Sequence, residues 1–99
     1  MTDTPIRGYT AKKDDYAKRL KRIEGQVRGI SGMIDADAYC IDVLTQISAA
    51  TKALQAVAVN LLDEHVRHCI RDAVDTGDRE HTETMIAEAT RAIERLVKA

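Results

Sequence analysis

The sequence has no Phe and no Trp, only three Tyr, and a single Pro among its 99 residues. Without large rings a core must be assembled from Ile, Leu, Val, Ala and Met, and a lone domain of this size built on them is marginal. Self-association is the ordinary remedy. The two cysteines, Cys40 and Cys69, are too few and too far apart for a disulfide framework, which excludes the small secreted scaffolds. The chain does not open with a charged region, an apolar stretch and a cleavage site, and it has no run suited to a bilayer, so the expectation is a reducing, cytoplasmic protein with no membrane partner. One domain at most fits this length, which rules out a two-domain enzyme.

Net charge is also nearly absent, at -1, but its distribution is uneven. Residues 1–28 carry eight Lys or Arg against four Asp or Glu, and residues 29–99 carry seven against twelve. An anionic partner belongs at the basic end.

What the sequence does have is helical periodicity. Residues 1–11 show no apolar period and read as a flexible N-terminal arm, leaving residues 12–99 as a single all-α domain. Tyr16, Leu20, Ile23, Val27, Ile30 and Ile34 step by four and three and predict a helix over roughly 12–35. Gly25, Gly29 and Gly32 share a face of it and predict a close approach by another helix. After the short polar residues 35–39, a second stripe runs Cys40, Leu44, Ile47, Thr51, Leu54, Ala58, Leu61, His65, Cys69, with no Pro or Gly before Gly77. A helix of about 35 residues is roughly 50 Å long, whereas a compact domain of this size is only about 35 Å across. A second chain is needed to cover it. The residues Thr76, Gly77 and Asp78 read as a stop and a new cap, and Ile86, Ala89, Ile93, Leu96 and Val97 mark a short third helix.

Cys40, His65 and Cys69 lie on the same stripe, and thiolates with an imidazole suit Cu(I) or Zn(II). His65 and Cys69, at i and i+4, share a helix face. Cys40 is 25 positions before His65, about 37 Å along a helix, so it can join them only from a second chain packed antiparallel about a two-fold axis. Two thiolates and one imidazole make a trigonal set that suits Cu(I), whereas Zn(II) wants a fourth ligand. The plainer reading is that both Cys are small buried hydrophobes and His65 is a core imidazole. His68 is about 60° around from His65 and a poorer choice of ligand; His81 reads as solvent-facing.

Lys12, Lys13, Lys18, Arg19, Lys21, Arg22 and Arg28 concentrate on the first helix, with Lys12, Arg19, Arg22 and Gln26 on one side, away from the apolar stripe. Such a run is either a solvated face or a nucleic-acid contact. No aromatic interleaves it, which favours phosphates of a duplex over stacking on single strands. The second helix is too long for a helix-turn-helix recognition element.

Arg19–Ile30 (RLKRIEGQVRGI), the pair Tyr39–Cys40, His65–Cys69 (HVRHC) and the turn at 76–78 together closely resemble the copper-sensing operon repressor (CsoR/RcnR) family over about residues 14–97. The resemblance implies a three-helix protomer, an antiparallel four-helix dimer and a disc-like dimer of dimers. It also implies a transcriptional repressor, not an enzyme, that takes no small-molecule substrate, binds double-stranded operator DNA when metal-free and releases it on meeting its inducer. The set Cys40, His65, Cys69 resembles the Cu(I) branch; nickel and cobalt sensors of the family carry His at the last position, formaldehyde sensors carry Glu there, and persulfide sensors lack the His. By the same resemblance Tyr39 and a third-helix Glu, Glu83 or its rival Glu80, stand behind the ligands, and the DNA-contacting Arg maps to Arg19, with Arg22, Lys18 and Lys12 beside it. The alternatives within reach of the sequence are a thiol-redox or persulfide sensor of the same fold, and a metal-free helical interaction protein.

Overall fold

The computed structural model describes residues 7–98, all α-helical apart from a short 3-10 turn at Thr10–Lys12 and the connections. Helix α1 spans Lys13–Asp35, α2 spans Cys40–Thr76 and α3 spans Arg79–Lys98. These bounds match the periodicity closely, because no Pro interrupts the three segments and two local motifs stop the helices. After α1, Ala38 N–H donates to Met33 O (2.9 Å) and Asp37 N–H to Ile34 O (3.1 Å), with Asp37 left-handed at φ 56°. This pair of bonds is a Schellman stop, and Asp is one of the few residues besides Gly that tolerates its dihedral. After α2, Gly77 takes φ 68° and donates to Ala73 O. Asp78 then caps α3 by accepting from His81 N–H at 3.0 Å. The sequence expectation of a stop and a new cap holds here.

The chain divides into two compact units, residues 12–60 and residues 61–99 together with the segment ending at Ala11. In the first, Tyr16 and Ile23 of α1 and Val43, Ala50 and Val57 of α2 are buried. In the second, the buried residues are Cys69 and Ala89. No side chain among the described residues is fully buried.

The stripe along α2, expected to need a second chain to cover it, is mostly uncovered by this one: Cys40, Leu44, Ile47, Thr51 and Leu54 are exposed, and only Cys69 at its far end is buried. The α2 residues this chain covers in the first unit, Val43, Ala50 and Val57, are spaced by seven. Helix α2 is apolar on two faces, and the chain covers only one. Likewise in α1, Tyr16 and Ile23 are buried while Leu20, Val27 and Ile34 are exposed. At Gly25, Gly29 and Gly32, expected to mark a close approach by another helix, a Cβ would meet nothing within 4 Å, so that approach does not come from a helix of this chain. Among the described residues no helix is long and apolar enough to cross a membrane.

Candidate metal centre and nucleic-acid interface

Helix α2 sets His65 and Cys69 one turn apart on one face, His65 half-buried and Cys69 only 4% exposed. Burial is the main force pushing the Cys69 thiol above its ordinary value, and the negative charges of Asp72 and then Glu88 add to it. Cys69 therefore keeps its proton at neutral pH and must release it to ligate a metal. Cys40 is the first residue of α2, exposed, and belongs to the other unit. Tyr39 precedes it, exposed, with its carbonyl accepting from the amides of Asp42 and Val43. Among the described residues no three His, Cys, Asp or Glu side chains gather closely enough to hold a metal ion. The chain thus brings two of the three expected ligands together and leaves Cys40 facing outward. As a donor set, two sulfurs and an imidazole fit a soft monovalent ion better than a hard one.

The neighbouring residues divide into those at the α2–α3 turn and those near Cys69. His81 serves the turn: besides its amide bond to Asp78, its Nε2 lies 3.7 Å from Asp72 Oδ2. Glu83 is exposed in the wall of an open pocket with Ala73, Gly77, Asp78, Arg79 and Thr82, and Glu80 is exposed in the first turn of α3. The carboxylates whose charge reaches Cys69 are Asp72 and Glu88, and the sequence reading singled out neither. Helical spacing points to Asp72, three residues after Cys69; Glu88 depends on how α3 lies in its unit. His68 is half-buried.

Residues 7–11, within the segment expected as an arm, form a turn in which Arg7 N–H donates to Thr10 Oγ1 at 2.6 Å; residues 1–6 of that expected arm lie outside the described residues. Gly8 lies so close to α2 that a Cβ there would collide with the Glu64 carbonyl and come within 3.0 Å of His65 N. Only glycine permits this approach.

On α1, Lys12, Lys18 and Arg22 are exposed, while Arg19 is half-buried with its guanidinium 5.9 Å above the ring centre of buried Tyr16. Arg19, Arg22 and Gln26, expected away from the apolar stripe, border it instead: with Ile23 they line a crease closed on the α2 side by Ala53 and Ala56. The small alanines leave room there that larger side chains would fill. Arg28 is held by Glu24 at 3.0 Å.

Residues 12–98 match the family of metal-sensitive transcriptional repressors. The chain is 59% identical over 96 residues to the copper-sensing transcriptional repressor RicR of Mycobacterium tuberculosis, covering 97% of this chain and 99% of that one. It is 54% identical over 69 residues to the copper-sensing transcriptional repressor CsoR of Bacillus subtilis, covering 70% and 68%. Its fold is similar to that of the Cu(I)-bound copper-sensing repressor CsoR of Geobacillus thermodenitrificans, with a TM-score of 0.79 at 38% identity and coverage of 97% and 95%. It is also similar to the nickel-responsive regulator InrS, with a TM-score of 0.72 at 36% identity over 84% of this chain and 90% of the other. A helical chain with paired metal-type donors and a basic helix, matched over nearly its whole length, belongs to the metal-sensitive transcriptional repressor family, whose members regulate transcription and are not enzymes.

Proposed function

We propose that this protein is a Cu(I)-responsive repressor that holds operator DNA when metal-free and releases it on Cu(I) binding, allowing copper-resistance genes to be expressed. The observation that carries the reading is the placement of soft donors along α2: His65 and Cys69 one turn apart, and Cys40 outward-facing at the start of the same helix. The uncovered residues Leu44, Ile47 and Leu54 support an antiparallel pairing of two α2 helices, which brings Cys40 of one protomer to His65 and Cys69 of the other. Two such dimers form the tetramer. The 59% identity to a copper-sensing repressor favours copper over the other metals of the family.

In this mechanism Cys40, Cys69 and His65 would hold the Cu(I) ion, which would supply a soft Lewis-acid centre joining the three side chains. Each residue has its own task. Cys69 gives up the proton that burial and its acidic neighbours hold on it. Cys40 ties one protomer to its partner. His65 would ligate through one ring nitrogen and leave the other for a carboxylate of α3, Glu83 in the family pattern with Glu80 as rival, while Tyr39 stands beside Cys40. Lys12, Lys18, Arg19 and Arg22 contact the duplex. Because the ion and DNA prefer different arrangements of one assembly, each weakens the other by the same factor, typically 5- to 150-fold.

The test is anisotropy of a labelled operator fragment titrated with metal-free protein, with and without one Cu(I) per chain, in parallel with ultraviolet thiolate-to-metal absorption. The expected result is stoichiometric absorption and at least a 5-fold drop in DNA affinity. His65→Ala should keep some copper uptake but release DNA poorly. Unchanged DNA affinity on saturation with Cu(I) would refute the reading.

A further inference from the structure

The turn between α2 and α3 is closed by a ring of contacts that the metal centre does not use. The Thr76 hydroxyl donates to Asp72 O (2.8 Å) and accepts from Asp78 N–H (3.3 Å). Asp78 Oδ1 accepts from His81 N–H (3.0 Å), and His81 Nε2 comes back to 3.7 Å from Asp72 Oδ2. Three links of this ring are hydrogen bonds, and the last is not. At 3.7 Å a neutral imidazole makes no hydrogen bond to a carboxylate, so His81 and Asp72 are joined only as an ion pair, when the imidazole carries a second proton. Histidine is the side chain that ordinarily gains and loses that proton between about pH 5 and 8. Residues 72–83 set Asp72 and Asp75 of α2, Asp78 of the turn and Glu80 and Glu83 of α3 against the single base Arg79, so a positive charge at 81 has acidic neighbours on both helices.

The ring stands next to the metal donors. Asp72 is three residues after Cys69 on α2, and Glu80 and Glu83 flank His81 at the start of α3. All of these residues, with His65, belong to one compact unit. The direction in which α3 leaves α2 therefore decides where a third-helix carboxylate stands relative to His65.

We propose that Asp72 and His81 form a proton-dependent clasp across this turn, which fixes the start of α3 against the α2 stretch carrying His65 and Cys69 and so strengthens copper-driven release. They are positioning residues, neither ligands nor DNA contacts. The clasp rests on the Cu(I)-release reading and adds acidity to it as a second input: it closes when His81 is protonated and opens as the pH rises and the imidazole becomes neutral.

The test compares the wild type with His81→Lys, which keeps a cation at either pH, His81→Ala, which removes it, and Asp72→Asn, which removes its partner. The two side chains are 53% and 40% exposed, so the fold is retained. Two quantities are read at about pH 6 and about pH 8, on either side of the ordinary histidine range. One is the hydrogen-exchange protection of the amides of residues 81 and 82 in the metal-free full chain. The other is the ratio of operator-fragment affinities without and with saturating Cu(I), saturation being checked by thiolate-to-metal absorption.

Both quantities in the wild type are expected to be about 2- to 5-fold larger at the lower pH, the range of an exposed ion pair. His81→Lys should keep the larger values at both pH, and any pH dependence it retains belongs to other groups and is subtracted. His81→Ala and Asp72→Asn should show the smaller values at both pH, and combining them should lose nothing further. Rescue by Lys together with loss of the pH dependence is a pattern that mere helix propensity at 81 does not produce. If His81→Ala matched the wild type in both quantities at the lower pH, there would be no clasp. Protection that follows the clasp while the copper effect does not would overturn its role in release. A wild type with no copper effect at either pH would fail the Cu(I)-release reading instead, and the protection pattern of the metal-free chain would still decide the clasp.

Discussion

The two units of this chain are built on different principles. Residues 12–60 carry eight basic against six acidic side chains and a small core of five buried residues contributed by two helices. Residues 61–99 carry six basic against nine acidic, and among their described residues only Cys69 and Ala89 are buried. In the first unit a side chain proposed to contact DNA lies over the core, as Arg19 does over Tyr16. In the second a proposed metal ligand, Cys69, is itself part of the core. A ligand that is also one of two buried residues cannot be engaged without disturbing the packing around it, whereas a cation above a buried ring can bind and release with the packing unchanged. On the proposed function, the buried part of the sensing site belongs to the sparsely packed second unit, while the DNA contacts and the exposed Cys40 belong to the first.

The largest effect expected from breaking this contrast comes from the exposed cysteine. Cys40→Ala should abolish stoichiometric Cu(I) binding, read by thiolate-to-metal absorption, and leave the helical content unchanged, because an exposed position loses no packing. Mixed with a His65→Ala, Cys69→Ala chain, it should recover one site per heterodimer of the two; no recovery would sink the shared-site geometry. Next, Ile23→Ala removes a buried side chain from the first unit and should cost about 2–4 kcal/mol in denaturant unfolding.

A pH series sharpens the comparison. Since the Cys69 thiol is raised by burial and by Asp72 and Glu88, the metal-free fold binds that proton more tightly than the unfolded chain does. This contribution to stability is fully present below the ordinary thiol value and is lost as the pH rises through the raised one. Apparent Cu(I) affinity should move the other way, rising up to about tenfold per pH unit for each thiol proton displaced. A competition titration between pH 6 and about 9 checks it, and a flat profile would contradict a protonated Cys69.

The smallest effects separate the two turns. Gly77→Ala places a Cβ at φ 68° and should destabilise by about 1 kcal/mol or more. Asp37→Gly relieves a left-handed non-glycine residue at φ 56° and should stabilise by about 0.5–1 kcal/mol. Opposite signs in thermal melts are the expected outcome.

The three helices were legible because period and punctuation agree: apolar steps of four and three run unbroken until Asp37 and Gly77 end them. Which face of α2 the chain covers was not legible. The residues at 40, 44, 47 and 54 make a longer apolar run than Val43, Ala50 and Val57, and only tertiary packing decides between two apolar faces. The glycines of α1 permit a close approach, but no helix of this chain makes it, and spacing alone does not name the neighbour. Among the site residues, the pairing of His65 with Cys69 follows from helical spacing alone. The charge of Glu88 at Cys69 and the Arg19–Tyr16 stacking depend on how helices and rotamers settle, and no spacing rule contains them.

Gly8 has a consequence for the order in which the chain acquires its structure. The turns between helices are short, four residues at 36–39 and two at 77–78, so most pairings form between neighbours in sequence and need little loop closure. The seat of Gly8 beside Glu64 is the exception, joining positions 56 apart. During synthesis Gly8 emerges before α2, yet its docking surface is made only when the second half of α2 has left the ribosome. Gly8 therefore finds its place only after residues that follow it in the chain, and its docking reports that α2 has formed beyond its midpoint.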